Sequence, residues 1–64
     1  MSDFKNRLEI EKQELDEKIE KLTIFVVSPN FDKIDIKQQE LLDKQLPVMC
    51  EYRDILTERL ALLN

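Results

Sequence analysis

Sixty-four residues carrying fourteen acidic and ten basic side chains have a formal charge of −4, with no His, no Gly and one Cys. That composition excludes a His-containing zinc site, an intrachain disulfide and every glycine-dependent phosphate cradle. The acidic balance opposes binding to long nucleic acid or an anionic membrane surface. So short a chain is one domain at most, and it buries too little surface to stand comfortably alone, so self-association is the expectation.

The N-terminal stretch MSDFKNRLEI has no apolar run of the kind a signal peptide needs, and no segment approaches the ~20 apolar residues of a membrane span. The expected location is therefore the cytoplasm, and Cys50 fits a reducing compartment. From there the pattern predicts a first helix over residues 3–27, capped by Ser2 or Asp3. Leu8, Leu15 and Leu22 recur every seventh residue, joined by Phe4, Ile19, Phe25 and Val26. Glu14 with Lys18 and Glu17 with Lys21 have the favoured acidic-before-basic order at i, i+4 and read as a solvated face.

The β-branched run before Ser28-Pro29 ends that helix, because proline biases its predecessor away from the helical region. Residues 28–35 form the linker, with Phe31 and Ile34 expected to plug the end of the core. Asp35 followed by Gln38 has capping-box spacing and opens a second helix over 36–63. Its core row is Leu42, Met49, Leu56 and Leu63, with Leu41, Val48, Ile55 and Leu62 in the row beside it. Gln45, Tyr52 and Arg59 run along the other flank.

Pro47 interrupts this helix, where an interior proline costs about 3 kcal/mol unless the chain bends or breaks. The spacing of 42, 49 and 56 continues across it without a phase change, so a kink is expected rather than two separate helices. The fold class is all-α: an antiparallel two-helix hairpin, its second helix kinked at Pro47. Its wide apolar stripe exceeds what one partner helix covers, which predicts a homo-oligomeric helical bundle.

Nothing in the chain supplies catalysis. There is no His, Glu51 and Asp54 beside Cys50 disfavour a thiolate, and no Glu-x-x-His metal motif exists, so neither an enzyme nor a cofactor is expected. Binding remains. Gln45, Tyr52, Arg53 and Arg59 place amide, phenol and guanidinium groups at the edge of the stripe, where Tyr could stack on a base and Arg could hold a phosphate. The same residues also suit a plain structural role, with Tyr52 at the core edge and the arginines in ion pairs.

The run QLPVMCEYR, with Gln45, Met49 and Arg53 spaced by four, resembles the second helix of short helical hairpin proteins of bacteriophages. Those proteins sequester cyclic oligonucleotide signals and so blunt host defences such as CBASS and Thoeris. KIEKLTIF, Phe31, LLDKQ, Met49, Tyr52 and Ile55-Leu56 are similar to related small phage hairpin proteins. The resemblance implies oligomers, often hexamers, with nucleotide pockets between subunits.

In that family a tyrosine before the first helix and a lysine within it hold the nucleotide. This chain has Phe4 and Glu20 instead, with Lys18 and Lys21 on either side of Glu20. The expected ligand contacts are thus Arg53, Tyr52, Gln45 and one of Lys18 or Lys21, and the expected ligand is a cyclic di- or trinucleotide. Two other readings stay open: a viral module that inhibits a host defence protein through its apolar face, and a structural oligomerisation unit.

Overall fold

Two helices and a short 3-10 turn account for almost all of the chain in a computed structural model, which describes residues 2–63 without the Ser2 side chain. Helix α1 spans Ser2–Val26 and helix α2 spans Ile36–Ala61, with a 3-10 helix at Pro29–Lys33 between them. No strand occurs among the described residues. The molecule is an all-helical antiparallel pair measuring 46 × 15 × 14 Å.

The turn is built from side chains that hydrogen-bond their own backbone. Thr23 Oγ1 donates to the Ile19 carbonyl at 2.7 Å, and Ser28 Oγ donates to the Phe25 carbonyl at 2.7 Å. Pro29 then starts the 3-10 helix, where its missing N–H costs nothing. Phe31 packs edge-to-face on Phe25 with centroids 5.9 Å apart, and both rings are half-buried. Asp35 caps α2 by accepting from the Lys37 amide at 3.2 Å. The Gln38 arm that capping-box spacing suggested is replaced by a different bond, in which the Gln39 side-chain amide donates to the Ile34 carbonyl at 3.0 Å. Ser2, the other candidate cap for α1, has its side chain outside the described residues.

The two helices meet along a 3-4 spaced seam. On α1 it consists of Leu8, Leu15, Leu22, Ile19 and Val26, interleaved with Lys5 and Lys12, all buried or half-buried. On α2 it consists of Leu42, Met49 and Leu56 alternating with Gln39, Leu46, Arg53 and Leu60. Among the described residues the buried ones are Leu8, Leu15, Ile19 and Leu56, of which Leu56 is fully withdrawn from solvent, and none of them is polar. Leu63, at the open end of the row, is exposed.

The two flanks of the α2 core row have different environments. Leu41, Val48, Ile55 and Leu62 point away from α1, and the half-polar row 39, 46, 53 and 60 lies against it. Lys5, Lys12 and Arg53 make this possible because their alkyl stems cover apolar surface while their charged heads reach water. Lys12 closes an ion pair to Asp16 at 2.9 Å.

Helix α2 is continuous through Pro47. Proline removes the hydrogen bond that would reach the Asp43 carbonyl. Pro47 and Asp43 are both exposed.

Candidate functional site

The hairpin register brings Tyr52 beside Glu11, forty-one positions away in sequence, and the Tyr52 hydroxyl donates to the Glu11 carboxylate. One heptad further out, the Arg59 guanidinium lies 5.9 Å from the centre of the Phe4 ring. These two contacts close the same edge of the hairpin. Around the Tyr52–Glu11 contact opens a shallow groove of about 360 Å³, lined by Arg7, Ile10, Glu11, Glu14, Leu15, Lys18 and Tyr52.

Helix α1 forms most of this groove because Arg7, Glu11, Glu14 and Lys18 follow one another at spacings of four and three, on one side of the cylinder. Leu15 and Ile10 supply an apolar floor, and Tyr52 forms the α2 wall. The result is two cations, two carboxylates and one aromatic ring around a surface that water reaches freely. Such a set can bind an anion and the face and edge of a planar base together. Among the described residues no group of three His, Cys, Asp or Glu side chains could hold a metal.

Of the residues expected from sequence, Lys18 and Tyr52 line the groove. Gln45 is exposed along the same α2 row, and its Nε2 donates to the Met49 sulfur at 3.5 Å. Arg53 is half-buried in the seam against α1, with a guanidinium nitrogen 3.4 Å from Asp54. Lys21 is exposed and does not line the groove. Arg7, Glu11 and Glu14 are groove residues that sequence reasoning did not select. Their signal was present as Arg7, Glu14 and Lys21 in one heptad row and Phe4, Glu11 and Lys18 in the next, but only the pairing with Tyr52 marks the useful part.

The Sequestin family model matches residues 2–62, nearly the whole hairpin. The chain belongs to the Sequestin family. Neither characterised proteins nor solved structures gave a match. The Sequestin match covers α1, the turn and α2 together, so the groove and both of its walls lie within the family region.

Proposed function

We propose that this protein is a phage-encoded sponge that binds a cyclic di- or trinucleotide immune signal stoichiometrically, without catalysis, in the cytoplasm of the host. In this reading the single hairpin domain assembles as a homo-oligomer, with α2 bending at Pro47. Membership of a family named for sequestration supports binding rather than turnover. The observation that carries the reading is the groove in which Arg7, Lys18 and Tyr52 converge. Arg and Lys complement phosphate, Tyr offers a stacking face, and the carboxylates of Glu11 and Glu14 accept hydrogen bonds from base edges. The chain's net charge of −4 favours a small anionic ligand held locally over a polyanion. Arg53, Gln45 and Lys21 lie outside their own chain's groove, so their contribution to a ligand comes from a neighbouring subunit.

Titration calorimetry of the pure protein against cyclic di- and trinucleotides, with linear dinucleotides as controls, tests this directly. Saturable binding of a cyclic species recovered intact after denaturation is expected, and Lys18→Ala or Tyr52→Ala should weaken it about tenfold or more. A flat titration across the panel removes the proposal. The exposed row Leu41, Val48, Ile55 and Leu62 favours a second reading, docking on a host protein. Recovery of one stoichiometric host protein with no nucleotide affinity would select it.

A further inference from the structure

The accessible surface of 5142 Å² is larger than a compact chain of 7.7 kDa should expose. The size scaling for folded monomers gives about 4,300 Å². The excess of roughly 800 Å² is what one partner loses in a standard stable interface. Part of it is a continuous apolar row. Leu41 is 57 % exposed, Val48 62 %, Ile55 53 % and Leu62 85 %, and all four share one row of α2.

These four alternate with Gln45, Tyr52 and Arg59 at spacings of four and three, the same pattern as the seam that packs on α1. At 100° per residue this second seam lies about 110° around the α2 cylinder from the first. Helix α2 is thus a two-seam helix with one seam filled. Immediately outside the open seam, on the side away from α1, runs a fully exposed row of Lys37, Lys44, Glu51 and Glu58. Its first half is positive and its second half negative.

We infer that the open seam of α2 packs against the same seam of a second copy of this chain, with the two α2 helices antiparallel. In an antiparallel pair the flanking rows of the two helices run side by side in opposite directions. Lys37 and Lys44 of one copy then lie along Glu51 and Glu58 of the other, whereas a parallel pair sets this row beside the Leu42, Met49 and Leu56 row of the other copy, which is turned into its own hairpin, and leaves the charges without partners. The charge row selects the orientation, and the apolar row supplies the affinity. Tyr52 belongs to both the seam and the groove, so the second α2 becomes a further wall of the ligand site. This inference rests on the homo-oligomeric part of the proposed function and is independent of the nucleotide.

Cross-linking tests it on the full chain with Cys50→Ser and a single new thiol. Lys37→Cys and Glu58→Cys face each other in that register and are twenty-one residues apart in sequence, about 31 Å along the helix, so in the antiparallel pair neither variant reaches its own copy. Mixing the two and oxidising should give the mixed dimer, with each variant alone remaining uncross-linked. Ile55→Glu, at a position outside the hairpin core, should weaken association about a hundredfold or more in sedimentation, since it removes a buried side chain from both copies. Self-cross-linking of either single variant, absence of the mixed dimer, or a parent chain that sediments as a monomer overturns the inference. Calorimetry with the cyclic nucleotides on the same samples separates the outcomes, because loss of ligand affinity in an intact dimer counts only against the nucleotide.

Discussion

Leu56 has no exposed surface, and it belongs to one buried cluster with Leu8, Leu15 and Ile19 of α1. Truncating it leaves a cavity that two rigid helices cannot close, so Leu56→Ala should cost about 2–4 kcal/mol in urea or thermal unfolding. Leu63→Ala, at the exposed end of the same row, should change stability by less than about 1 kcal/mol. At the groove, the Tyr52 hydroxyl and the Tyr52 ring have separable roles. Tyr52→Phe removes the bond to Glu11, an exposed contact whose loss should cost no more than about 1 kcal/mol of stability, and keeps the stacking face. Nucleotide affinity measured by calorimetry should therefore survive Tyr52→Phe within a few-fold and fall with Tyr52→Ala.

Each helix end has a local cause that the neighbouring residues carry themselves. Asp35 holds the Lys37 amide, and Asp35→Ala should lower stability by about 1 kcal/mol, as cap removal generally does. The side chain of Gln39 completes that corner by holding the Ile34 carbonyl. Since Gln39 also belongs to the seam against α1, the capped corner fixes the rotation of α2 as well as its start. Pro47 works against its helix. Pro47→Ala restores the hydrogen bond to the Asp43 carbonyl and should raise the melting temperature of the hairpin, by up to ~3 kcal/mol of helix stability. If α2 bends at Pro47 to fit a neighbouring subunit, the same substitution should weaken the oligomer in sedimentation while it stabilises the helix.

A radius of gyration of 14.6 Å, against about 11 Å for a compact chain of this length, describes a rod with one thin internal seam. In the proposed homo-oligomer such a rod would gain stability from the copy that covers its outer rows. The melting temperature should accordingly rise with protein concentration over two or three decades, as mass action requires of a folding-coupled oligomer. A melting temperature independent of concentration would mean that the hairpin folds alone. No helix among the described residues is long and apolar enough to cross a membrane.

By itself the sequence determined the two helices, the Ser28-Pro29 break, the Asp35 cap and the seven-residue row through Leu42, Met49 and Leu56, because each depends on neighbours within one or two turns. Which row completes the seam was beyond it. Both flanks of that row are plausible on α2. Tertiary structure chose the half-polar row of Gln39, Leu46, Arg53 and Leu60, because the turn sets the rotation of α2 and long cationic side chains tolerate a half-buried position. That choice moved Arg53 into the seam, left Leu41, Val48, Ile55 and Leu62 facing outward, and put Tyr52 beside Glu11 to form the groove wall. Local periodicity fixes a helix, but it carries no information on how far that helix is turned about its own axis when it meets another.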